Sequence, residues 1–277
     1  MRQPKIYIRL PSNGKYWPDG SIDMPDNGEL PIYSMTAKDE LTLKTPDALL
    51  NGQAVVDIIQ SCVPNIKNAW VTPNIDLDTL LVALRIATYG EMMEISHIVP
   101  GTTEEVTHNI DLRIVLEQVS TCDQWEEKVE INKDITCYIK PLTYAHISHN
   151  SIKTFEAQRT IQLITDDAVS EEDKIKYLNQ SVNDLSNIEF EVVSDSVRSI
   201  QTPDVTVDDK DFIKEYLQNA DKTVFNKIEN HLSHMRTLIG IKPLEFESSE
   251  EHIELGAPAK YIMPLNMDYS SFFVSGS

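Results

Sequence analysis

IDLDTLLVALRIATYG, residues 75–90, is the stretch on which the fold reading turns. From Asp76 to Tyr89 the apolar residues Leu77, Leu80, Leu81, Leu84 and Ala87 recur at steps of three and four. They therefore share one face of a helix, and Gly90 stands where the helix must stop. Arg85 lies beside that stripe, a position from which it pairs with an acid or snorkels to water. On the C-terminal side the period changes to two. Met93, Ile95, His97 and Val99 alternate with polar residues, Pro100-Gly101 turns the chain, and Val106, His108 and Ile110 return, which predicts a β-hairpin. On the N-terminal side Val55, Val56, Ile58 and Ile59 begin another helix after Asn51-Gly52, which closes a short one opened at Thr45-Pro46-Asp47. Thr36 with Asp39 three residues on reads as a capping box.

Further out, RLPSNGKYWPDG (residues 9–20) holds two turn signals, Asn13-Gly14 and Pro18-Asp19-Gly20. It follows the alternating Ile6, Ile8 and Leu10 and precedes a second short strand at residues 28–33, so a folded β-ribbon is predicted. Strand patterns recur at residues 127–131 and 135–139. From about Thr143 to Ile239 the period is mainly helical. Ser170-Glu171-Glu172-Asp173 caps a long helix with Ile175, Leu178, Val182 and Leu185 on one stripe, extended by Ile188, Val192 and Val193 with a register shift near Glu189, and ended by Gln201-Thr202-Pro203. The helix before it, residues 151–164, joins it through Thr165-Asp166-Asp167, which predicts an antiparallel helical hairpin. Helices near residues 209–219 and 221–238 follow, then β patterns at residues 244–247 and 253–255. The expected fold class is α+β: N- and C-terminal β-ribbon parts with an inserted helical section. The expected divisions are residues 1–142, 143–207 and 208–277, the last continuous with the first.

The chain carries 44 acidic against 24 basic residues, a formal −20. That field repels phosphate backbones, and no Lys/Arg cluster offsets it, so nucleic acid is excluded as a partner while a basic protein surface is attracted. Apolar runs fall short of the ~20 residues of a bilayer span, which excludes the membrane. Cys62, Cys122 and Cys137 are odd in number and widely spaced, as in a reduced cytosolic protein.

Candidate chemistry is thin. His146 and His149, with His231 and His234, form two HxxH steps that two facing helices would turn toward one metal. Glu229 is off the Glu-x-x-His spacing that such bundles use, so solvent-facing or helix-end histidines are the preferred reading. His97 and His108 face each other across the hairpin, and His252 stands on the late strand pattern, without any Cys-x-x-Cys to complete a zinc set. No nucleophile elbow, glycine-rich phosphate loop or zinc-protease helix is present. No cofactor, catalytic residue or metal ligand is assigned. Asp208-Asp209 and Asp166-Asp167 sit at helix starts and read as caps.

RLPSNGKYWPDG with the following MTAKDE, LDTLLVALRIATYGEMMEI and IMPLNMDYSSFF together resemble the baseplate hub assembly and hub proteins of T-even-type contractile phages. NGQAVVDIIQSCV and DFIKEYLQNAD fit the same order, so the resemblance spans nearly the whole chain. It implies a non-enzymatic, chaperone-like factor made in the host bacterial cytoplasm that binds other baseplate hub proteins. A permanent hub subunit located in the virion baseplate is the alternative, and a metal enzyme built on the HxxH steps a second. Some relatives carry Cys pairs at the hairpin tip and before the terminal Phe-Phe. Here those places read Val99-Pro100-Gly101-Thr102 and Glu247-Ser248-Ser249-Glu250, so no zinc knuckle is carried over. Lys15, Tyr16 and Trp17, with Phe272 and Phe273, are the candidate partner contacts.

Overall fold

The computed structural model describes residues 2–45, 51–119, 125–163, 170–265 and 272–273. The first core is built round one helix. Strands β1 (Ile6–Ile8) and β2 (Leu30–Ile32) pair antiparallel, with Ile6 opposite Ile32, and helices α1 (Ala37–Leu43) and α2 (Gln53–Cys62) follow. The central helix α3 (Asn74–Tyr89) buries Val82, Ala83 and Ile86 as well as the expected Leu77, Leu80, Leu81, Leu84 and Ala87. A helix apolar all round belongs inside a protein, and the other elements wrap it. Among the described residues Arg85 pairs with no acid: it is buried, with its guanidinium 4.6 Å over the Tyr89 ring. Its place among apolar turns on every side leaves no route out along the stem.

The Thr36–Asp39 capping box forms, Asp39 accepting from Thr36 N at 2.7 Å. Residues 46–50 of the short helix opened at Thr45-Pro46-Asp47 lie outside the described residues. Gly52 is the N-cap of α2 rather than only the stop of an earlier helix. Its φ of 77° suits glycine, and a Cβ there would overlap Ser148 Oγ.

The predicted hairpin forms as β3 (Met92–Ile98) and β4 (Glu105–Asp111), followed by α4 (Leu112–Val119). A second core begins at β5 (Lys128–Glu130) and β6 (Thr136–Ile139). The chain then leaves as α5 (Tyr144–Leu163) and returns as α6 (Glu171–Ser196). The helical hairpin is antiparallel: Lys153 pairs with Glu191 at 2.7 Å, while His146, earlier in α5, reaches Asp195, later in α6. The turn at Thr165-Asp166-Asp167 lies outside the described residues.

Helix α6 stops at Ser196, short of the predicted end. Val197–Gln201 is strand β7, and it pairs β6 on one side and β8 (Thr206–Val207) on the other, in the sheet order β5-β6-β7-β8. Backbone partners sixty residues back in the chain outweigh the local helical period. Helices α7 (Lys210–Asn219) and α8 (Lys222–Ile239) cover this sheet, with Ile213, Leu217 and Ile228 packing on Cys137, Ile139, Val193 and Ile200. Asp209 caps α7 as expected, accepting from Asp211 N and Phe212 N.

Strand β9 (Leu244–Glu247) pairs antiparallel with β10 (Lys260–Met263), not with the predicted strand at residues 253–255. That segment belongs to a one-turn helix, α9 (Glu250–Glu254), whose Ser249 hydroxyl accepts from His252 N and whose first turn carries Glu250 and Glu251. The β9–β10 ribbon closes on the tip of β3–β4, where Val99, Phe246, Ala257 and Tyr261 form a third, small core. There a Cβ on Gly101 would come within 2.6 Å of the Gly256 carbonyl oxygen.

Candidate interaction site

The residues of the opening ribbon divide by direction. Asp76, in the first turn of α3, is buried and accepts from Ser12 N at 2.8 Å, from Ser12 Oγ, and from Trp17 Nε1 at 2.7 Å. Burial pushes its carboxyl above the ordinary range even though all three hydrogen bonds favour the charged form. Trp17 is thereby held inside the first core, because an indole N–H must be satisfied when its ring is buried. Lys15 and Tyr16 point the other way, toward Glu127 beside β5. Lys15 forms an ion pair with it, Tyr16 Oη donates to it at 2.8 Å, and Arg198 of β7 stands 3.4 Å away. Burial pushes the Glu127 carboxyl up, but the hydrogen bonds and charges of Lys15, Tyr16 and Arg198 outweigh it and hold it below the usual range. The loop therefore bolts the first core to the second.

Phe272 and Phe273 are likewise placed in the first core, and Tyr89 Oη donates to the Phe273 carbonyl at 2.8 Å. Of the five candidate partner contacts, only Lys15 and Tyr16 keep surface exposure, and both already engage Glu127.

The HxxH steps do not converge. His146 bonds Thr143 Oγ1 at 2.7 Å, and His231 bonds the Glu126 carbonyl oxygen at 2.8 Å. His149 and His234 are exposed. Among the described residues no three His, Cys, Asp or Glu side chains gather to hold a metal ion. His97 and His108 do stack, with centroids 5.4 Å apart, but their neighbours are Phe246 and Tyr261 rather than further ligands.

What the fold leaves open is the outer side of the helical hairpin. In its distal half the buried positions are small, Ala157 on α5 and Ser181 on α6. The apolar stripe of α6 faces outward instead: Ile175 is 62% exposed, Leu178 47%, Val182 52% and Leu185 36%, with Phe155 of α5 at 52%. Toward the base of the hairpin Val192 enters a hollow shared with Phe155, Gln158 and Arg236. The hollow opens into a cleft of about 300 Å³ between the two main cores, lined by Asn74, Asp78, Trp125, Lys140, Ile147 and Met235 among others. Among the described residues Asn74 Oδ1 and Trp125 Nε1, both buried there, find no hydrogen-bond partner. Burial pushes the Asp78 carboxyl up to about 6, and among the described residues no charge or hydrogen bond counters it.

Residues 4–255 match the family described as T4 bacteriophage base plate protein. The chain belongs to that family. No curated protein and no solved structure matches it. It is a phage baseplate protein, and its membership implies interaction with other phage baseplate proteins. For a baseplate protein the exposed hairpin stripe and the cleft below it are the surfaces of interest, and the sequence reading missed the cleft. Asp76 and Asp78 bracket Leu77 at the start of an otherwise apolar helix, and two acids there each need a partner. Among the described residues only Asp76 finds one; the pair of acids at the helix start was the signal the sequence offered. No helix among the described residues is long and apolar enough to cross a membrane.

Proposed function

We propose that this baseplate protein is a non-enzymatic assembly factor that holds hub subunits while the baseplate hub is built in the host bacterial cytoplasm. The observation that carries the reading is the outward-facing stripe Ile175, Leu178, Val182 and Leu185 on a hairpin arm. Such a face is costly in water unless a partner covers it for part of the protein's life. The formal charge of −20 complements a basic partner, and charge complementarity speeds encounter. The loop Arg9 to Gly20 and the Phe272-Phe273 pair serve the fold in this reading. Mass spectrometry of purified virions tests it. Peptides of this chain at well under one copy per hub are expected. Stoichiometric peptides would make it a permanent hub subunit instead.

A further inference from the structure

The hollow beside Phe155 and the cleft between the cores are continuous, because Val192 lines both, and Val192 stands two turns beyond Leu185 on the same side of α6. From Ile175 to Val192 the path is about 25 Å along the helix, the length of a partner helix of about five turns. Ile175, Leu178, Val182 and Leu185 follow the 3-4-3 spacing by which one helix accepts the knobs of another. The far end of the path differs in kind. It holds Asp78, a mostly buried carboxylate that no cation pairs with among the described residues, and Asn74 Oδ1, which finds no hydrogen-bond donor among them, both acceptors. Lys140 and Arg236 also line the cleft, yet neither pairs with Asp78. The charges that act on Lys140 are Lys210, Asp195 and Arg198.

We propose that stripe and cleft form one groove for a single amphipathic helix of another baseplate protein, which lays its apolar face on Leu178, Val182, Leu185 and Val192 and delivers a lysine or arginine to Asp78 and Asn74 Oδ1. The occupant is not a second copy of this chain, since two bodies of formal charge −20 repel. The proposal deepens the binding role proposed above and rests on it, but its test does not use virion content, so either can fail alone.

The test uses the full chain and two designed helical peptides of about three heptads, each with Leu at the seam positions, one carrying Lys and the other Glu elsewhere. Binding is read by fluorescence anisotropy. The Lys peptide is expected to bind at least about tenfold more tightly than the Glu peptide. Val182→Glu is expected to abolish that binding. Attraction to the acidic surface at large would instead grow with the added charge, and that result overturns the groove. Asp78→Asn is expected to weaken the Lys peptide about tenfold while raising Tm at pH 8 by a few degrees, because a lone buried charge has gone. Unchanged binding in Asp78→Asn, or binding and Tm falling together as for a purely structural residue, overturns the role given to Asp78. A dimer of the chain alone that Val182→Glu dissociates assigns the face to a second copy and overturns the proposal.

Discussion

Asp76 shows how one side chain sets the place of a whole loop. Its two oxygens take three hydrogens from Ser12 and Trp17, residues about sixty positions away in sequence, and it stands at the buried start of α3. Removing it leaves a backbone N–H, a hydroxyl and an indole N–H buried without acceptors. Each such orphan costs roughly 1–3 kcal/mol, partly offset by relief of the buried charge. Asp76→Ala is therefore expected to lower unfolding stability by about 3 kcal/mol, read as a lower urea midpoint at unchanged slope. Asp76→Asn keeps one acceptor oxygen for Ser12 N, and its loss is expected to be about half as large. Equal losses in the two variants would show that the carboxylate's charge, not its acceptor geometry, holds the loop. The Lys15–Tyr16 pair on Glu127 depends on the same placement, so the junction between the cores loosens with it.

At the scale of elements, the third core is where acidity acts. His97 stacks on His108, and its Nε2 lies 2.8 Å from Tyr261 Oη on the β9–β10 ribbon. Phe246 lies against the His108 ring at 4.3 Å. Burial, and then the charge of His108, push the His97 imidazole below its ordinary 6.5. A base whose folded value is depressed binds fewer protons folded than unfolded. Its contribution to stability is thus complete above pH 6.5 and is lost as the pH falls through that value. Amide exchange in residues 244–263, corrected for intrinsic rate, is expected to quicken between pH 7 and 5. His108→Phe is expected to reduce that step by the part the charge of His108 contributes, while leaving the nearby His252–Glu104 contact of 3.1 Å in place. An unchanged step in His108→Phe would assign it to the burial of the His97 ring alone. The hairpin that carries these histidines was legible because alternation, Pro100-Gly101 and renewed alternation leave few other folds. Strand β7 was not: Val192, Val193, Val197 and Ile200 keep a helical rhythm through the true end of α6, and pairing with β6, sixty residues away, leaves no local trace. Helix α9 was misread from the alternation of Ile253 with Leu255, although Ser249 followed by two glutamates is an N-terminal signature.

Across the whole molecule, the helical hairpin stands apart from the three apolar cores. Tyr144 belongs to the first and Val193 to the second, but the described residues between Ser148 and Ile188 contribute to none of them. The amphipathic stripe of α6 was plain in the sequence, yet its direction was not, because periodicity does not say which neighbour a face will meet. The small residues Ala157 and Ser181 set the close approach of the two helices and turn the apolar side outward. The same reasoning hid the cleft, whose walls come from α3, α5, α6 and α8, elements scattered over the chain. An arm that contributes to no core is dispensable for folding and owes its composition to something outside the chain. Replacing residues 157–183 by a Gly-Ser loop of about five residues is therefore expected to move Tm by no more than a few degrees. The Lys153–Glu191 ion pair would still close the base. The same deletion is expected to abolish complementation of a phage that lacks this protein, measured as plaque yield. Full complementation by the shortened chain would move the working surface to the body of the protein. Collapse of Tm would show that the arm, despite its exposure, is part of what holds the two cores together.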